Sequence, residues 1–155
     1  MKRQTKLIAG LLALAVSAYL GLDQLPSGPT ASSANDAEQS VNKSSAGQRI
    51  SAAYQAKAND VDVTGSGTVT RVLADDNDGS RHQRFILDVQ ADRTVLVAHN
   101  IDLAPRIDGI KVGDLVEFKG VYEWNNRGGV VHWTHHDPQN RRSGGWLKHR
   151  GRIYE

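Results

Sequence analysis

The chain predicts an all-β fold, a small five-stranded OB-like barrel with a short helix, preceded by an N-terminal membrane or signal helix. Three observations carry that expectation. From Asp60 onward apolar residues recur at every second position, turn residues punctuate the segments, and the order is three strands, a bridging connection and a two-strand hairpin.

The elements follow in order. Lys2, Arg3 and Lys6 precede an uncharged, mostly apolar run from Leu7 to Leu22, so residues 1–22 read as a signal peptide or membrane anchor. As a helix the run spans roughly 24 Å, somewhat short of a hydrocarbon core but tolerable with bilayer thinning and Lys snorkelling. Val16-Ser17-Ala18 offers a cleavage site, yet the apolar run continues past it, which favours an uncleaved anchor. Positive residues before the run place the remainder outside the cytoplasm, which predicts a periplasmic or otherwise extracytoplasmic domain tethered to the inner membrane. Residues 23–47, rich in Ser, Ala, Asn, Gly and Pro, read as a disordered linker. Over residues 48–59, Ile50, Ala53, Tyr54 and Ala58 fall at helical spacing.

The barrel should occupy residues 60–155. Val61, Val63, Val69 and Leu73, interrupted by Gly65 and Gly67, predict a long, bent first strand. Arg81 to Val89 alternates Gln83, Phe85, Leu87 and Val89 against His82, Arg84, Ile86 and Asp88, and Thr94 to Asn100 makes the third strand. Ile101 to Ile110, with Pro105, is a loop or one short helix. Leu115 to Trp124 and Val130 to Asp137 form a hairpin around Asn125-Asn126-Arg127-Gly128-Gly129.

Composition narrows the function. The formal net charge is +2, but the body from Asp60 to Asp137 holds 8 basic and 13 acidic residues, while Gln139 to Glu155 holds 5 basic and 1 acidic. An acidic body argues against a nonspecific nucleic-acid partner. The chain has no cysteine, which excludes disulfides, thiolate metal sites and a lipid-modified cysteine anchor.

Three blocks carry a family resemblance: Gly79 to Phe85 (GSRHQRF), Ala98 to Pro105 (AHNIDLAP) and His132 to Pro138 (HWTHHDP) within Gly128 to Pro138. They resemble the signature blocks of a bacterial envelope domain family of unknown function, over roughly Gly65 to Tyr154. The resemblance supports the domain boundaries and implies no activity.

The densest chemistry is His132-Trp133-Thr134-His135-His136-Asp137. Neutral imidazole is the commonest protein metal ligand and titrates nearest neutral pH. Strand alternation puts His132, Thr134 and His136 on one face and Trp133, His135 and Asp137 on the other, so this strand supplies at most two ligands to one point. The candidate metal ligands are His99, His132, His135, His136 and Asp137. A facial set of His99, His132 and His136, with Asp102 or Asp137, would suit Zn²⁺ or a similar divalent transition metal. No spacing matches a strong metal motif. The alternative is a pocket at the strand ends, lined by His82, Arg84, His99, Asn100, Asp102 and His132, for a small polar or anionic ligand. A third reading makes the imidazoles struts bonded to carbonyls and carboxylates.

Arg84 offers a planar donor fork or a salt bridge to a nearby Asp, the second being slightly favoured. Asp75, Asp76 and Asp78 lack the spacing of a Ca²⁺ loop, and Tyr122, Trp124 and Trp133 are better read as barrel filling than as stacking platforms. In the tail, Trp146 and Tyr154 should dock on the barrel, and its cations would suit anionic headgroups if the tail lies near a bilayer. Three functions therefore compete: a ligand-binding module, a metal-dependent hydrolase or nuclease, and a non-catalytic envelope scaffold. No residue is nominated as catalytic.

Overall fold

The structure, a computed structural model, describes residues 45–90 and 93–155. Helix α1 (residues 45–55) is followed by β1 (Val61–Val72), β2 (His82–Gln90), β3 (Arg93–Asn100), β4 (Leu115–Glu123), β5 (Val130–His132), β6 (Trp146–His149) and β7 (Arg152–Tyr154). The strands pair in the ring β1-β2-β3-β5-β4, and β4 pairs back to β1. Only the β3–β5 contact in that ring is parallel. This is the OB-like barrel that alternation and element order predict. The leader expected over residues 1–22 and most of the expected linker lie outside the described residues. Among the described residues no helix is long and apolar enough to cross a membrane.

Closure depends on the bend in β1. Its first part pairs with β4 and its second with β2, and Thr68 lies opposite both Leu115 and Asp88. Gly67 permits this approach, since a Cβ there would sit 2.9 Å from both Leu87 Cβ and the Asp88 carbonyl oxygen. The inward positions Val63, Val69, Phe85, Leu87, Val89, Val95, Val97, Val116, Phe118, Tyr122 and Val131 are all buried in one cluster. Truncating either Phe to Ala would cost about 3–5 kcal/mol, from lost transfer energy plus the cavity left behind.

Both ends of the barrel are stoppered. At one end α1 inserts Ala46, Ile50 and Ala53, one helical face, into the core. The helix starts at residue 45 rather than 48 because that face begins at Ala46. It stops where Lys57 turns left-handed (φ 51°), with Ala58 N–H donating to Ala53 and Lys57 N–H to Tyr54, a Schellman arrangement. Arg93 lies over the Tyr54 ring (4.7 Å) and Lys57 over Trp124 (5.5 Å), tying the helix to β3 and the β4–β5 hairpin. At the other end residues 101–114 form turns without a helix and bury Ala104 and Ile107. Buried side chains thus cover both ends of the barrel.

The expected fifth strand does not run to Asp137. It stops at His132, because Trp133 takes a left-handed conformation (φ 55°) that strand pairing does not accommodate. β6 then resumes on the same edge of β4: Val121 faces His132, and Lys119 faces Trp146. The fifth strand is thus split by an excursion over residues 133–145. Its neck closes through Gly145 N–H donating to the His135 carbonyl (2.9 Å). A Cβ on Gly145 would fall 2.0 Å from the Trp133 carbonyl oxygen. β7 hairpins onto β6, so the tail adds strands as well as docking Tyr154 in the core.

Candidate functional site

His99 and His132 do not share an opening. His99, inward on β3, is fully buried. Its Nε2 lies 3.1 Å from the Pro105 carbonyl and its Nδ1 2.8 Å from Thr134 Oγ1. A carbonyl only accepts, so Nε2 carries the proton and Nδ1 accepts from the Thr134 hydroxyl. Both ring nitrogens are thereby used. Burial pushes the His99 pKa down to about 4, against the smaller opposing effect of the Pro105 carbonyl. Gln83, directly across on β2, works alongside it: its amide donates to the Ile107 carbonyl and accepts from the Ile107 N–H, each at 2.9 Å. His99 and Gln83 are struts that hold the 101–114 connection in the barrel mouth.

His132 faces the other way. Val97 pairs with Val131 and both are buried, so the next residues, Ala98 and His132, point outward. The expected pocket containing both imidazoles is therefore corrected: the sheet itself separates them. The expected metal site fails on the same geometry. His135 is buried with Nδ1 donating to the His136 carbonyl (2.7 Å) and its ring against Trp133, while His136 is exposed. Asp137 accepts from the N–H groups of Gln139 (3.0 Å), Arg141 (2.7 Å) and Arg142 (2.9 Å), which hold its carboxyl below the usual range. Among the described residues no three His, Asp or Glu side chains gather as a metal site.

The structure does gather a different subset of the expected ligand-binding residues. On β2, His82 and Arg84 point outward; their cross-strand partners are Asn100 and Ala98. Ala98 in turn neighbours His132 on β5. Ala98 is thus a low floor between a guanidinium and an imidazole, with His82 and Asn100 one step toward the barrel mouth. Arg84 Nε donates to the Ala74 carbonyl (3.1 Å), and Nη1 reaches Asp76 at 3.4 Å, so the slightly favoured salt bridge is present. Two of the five guanidinium N–H groups are accounted for by these contacts. His132 Nε2 is buried and faces the Glu123 carboxylate, 3.7 Å from Oε1, an ion pair when the ring is protonated. Burial lowers its pKa, and Glu123 opposes that shift.

Asp102 and Asn100 belong to the rim. Arg81 gives Asp102 both its backbone N–H and its Nε, each at 2.7 Å, and holds that carboxyl below its ordinary value. Asn100 Oδ1 accepts from Asp102 N–H (2.9 Å), a short polar turn. The acidic turn is likewise internally engaged, with Asp75 gripping Arg106 at 3.0 Å.

Sequence reasoning missed Ala98 as a floor and His149 altogether. His149 is buried on β6 and bonded to Asp114 (2.9 Å), which Arg150 also contacts. The alternation of Leu147 and His149 against Trp146 and Lys148 was the available signal.

These features define an OB-like barrel covered at both ends, with His82, Arg84 and His132 on the outer face of β2, β3 and β5. The chain belongs to the family described as Protein of unknown function (DUF3465), which matches residues 35–155. No curated protein matches it.

Proposed function

We propose that the chain is a non-catalytic binding module, held outside the cytoplasm by its N-terminal apolar segment, that takes a small polar, anionic ligand on the outer β2–β3–β5 face. The observation that carries this reading is the pair Arg84 and His132 flanking Ala98 on one outward face, each a cationic or protonatable side chain. A guanidinium with N–H groups to spare and an imidazole that binds a proton suit a carboxylate, sulfate or phosphate oxygen. The outer face of strands 2 and 3 is also where OB-type barrels commonly take their ligands.

A hydrolase or nuclease has less support, because the imidazoles and Asp137 that would serve it are spread over both sides of the sheet, and His99, His135 and Asp137 are engaged by backbone groups. Nucleic acid is disfavoured too. The outward positions His82, Arg84, Ile86 and Asp88 on β2, and Thr94, Leu96, Ala98 and Asn100 on β3, include no Phe, Tyr or Trp on which a base would stack.

The test is an amide-shift titration of the full chain with sulfate and with acetate. Saturable shifts centred on Arg84, Ala98 and His132, abolished in Arg84→Gln, support the proposal. Shifts scattered over the tail cations, or none, overturn it. Export is checked separately by fusing a reporter that is active only outside the cytoplasm.

A further inference from the structure

Beside the polar row lies an apolar one. Ile86 pairs directly with Leu96, and Leu96 pairs directly with Val130. The three residues alternate with the buried positions Phe85, Leu87, Val95, Val97 and Val131, so they point outward, and each is half-buried. They make an aliphatic strip across three strands, about 10 Å long at roughly 4.8 Å per strand step. Two residues along each strand, about 7 Å away, stand Arg84, Ala98 and His132. Arg71 lies opposite Ile86 on β1 and Glu123 opposite Val130 on β4, while Asp88 and Thr94 border the far side.

We infer that the ligand of this face is amphiphilic, an aliphatic chain of medium length ending in a carboxylate or another single anionic group. The chain lies over Ile86, Leu96 and Val130, and the anionic end sits over Ala98 between Arg84 and His132. This rests on the binding function proposed above and adds the ligand's apolar part.

Charge sets the orientation. Arg84 stands on the Ala98 side of Ile86 and is the cation that draws the anionic end to that row, while Arg71 lies level with Ile86 and Glu123 is engaged with His132 at the β4 edge. Size argues against a second copy of the chain. A stable protein interface covers about 800 Å² on each partner, and three half-buried aliphatic side chains hemmed by Arg71, Arg84, Asp88 and Glu123 offer far less apolar contact.

The experiment titrates the full chain with octanoate, acetate, sulfate and octanol, following the methyl signals of Ile86, Leu96 and Val130 and the amides of Ala98 and His132. Octanoate should shift both sets saturably and bind at least about tenfold more tightly than acetate, the scale on which hydrophobic pockets discriminate. Val130→Thr and Ile86→Thr keep a β-branched side chain. Each should weaken octanoate about tenfold while leaving acetate unchanged. If acetate and sulfate bind as tightly as octanoate at the Ala98 row, the amphiphile inference is overturned and the binding function stands. Octanol binding equal to octanoate, insensitive to Arg84→Gln, overturns both, as does the absence of any saturable shift. A concentration-dependent dimer abolished by Ile86→Thr would overturn the inference in favour of self-association.

Discussion

Acidification should destabilise this barrel through one imidazole, and the size of the effect follows from the geometry of His99. In the folded chain the ring is fully buried, and its pKa is lowered to about 4 from an ordinary value near 6.5. The unfolded chain therefore binds this proton first as pH falls. Above about pH 6.5 both states are neutral and the full stability is present; it is lost as pH drops toward about 4, and below that both states are protonated and His99 adds nothing more. Each pKa unit is worth about 1.4 kcal/mol, so the window amounts to about 3 kcal/mol. That is a large share of a typical domain stability of about 5–15 kcal/mol. The assay is urea unfolding at intervals across that pH range, for the parent chain and for His99→Asn. The parent should lose about 3 kcal/mol more than the variant over the window, because Asn cannot take up the proton. Equal slopes would refute the reasoning, since they would mean that folding does not perturb the His99 ring.

Three further outcomes are expected. Gln83→Leu leaves the Ile107 N–H and carbonyl unpaired in the barrel mouth; urea unfolding should show a loss of about 1–3 kcal/mol, and an unchanged midpoint would mean the mouth connection is not held by this amide. Gly145→Ala forces a Cβ against the Trp133 and Lys119 carbonyl oxygens, at 2.0 and 2.5 Å, and should abolish the cooperative unfolding transition. A variant melting with the parent would show that the neck of the 133–145 excursion is looser than this geometry. Sulfate keeps its charge between about pH 5 and 8, where histidine titrates, so its affinity should rise as pH falls and His132 charges. Glu123 from β4, Arg142 from the excursion and His82 from β2 all bear on that ring. The His132→Asn variant should lose most of this pH dependence, and retention of the full slope would place the titrating group elsewhere.

The barrel was legible because strand alternation is a local consequence of burial: Phe85, Leu87 and Val89 had to face one way whatever they packed against. The site was only partly legible, and the reason lies at Trp133. Alternation read through residues 130–137 assigns faces correctly as far as His132, then fails where one left-handed residue ends the strand. The return of the same strand edge after Gly145 depends on a pairing with β4, which no run of neighbouring residues encodes.

Strand parity also explains why an imidazole cluster in sequence makes no cluster in space. His99 and His132 lie on neighbouring strands, but the parallel register pairs Val97 with Val131, so their positions differ in parity and the sheet divides them. Shifting β5 by one residue would bring His132 inward beside His99, and would also turn Val131 out of the core. Burial of Val131 opposes that shift. The same constraint leaves Ile86, Leu96 and Val130 aligned on the outside beside Arg84 and His132. The core that separates the histidines is thus also what assembles the apolar strip and its polar anchor on one face.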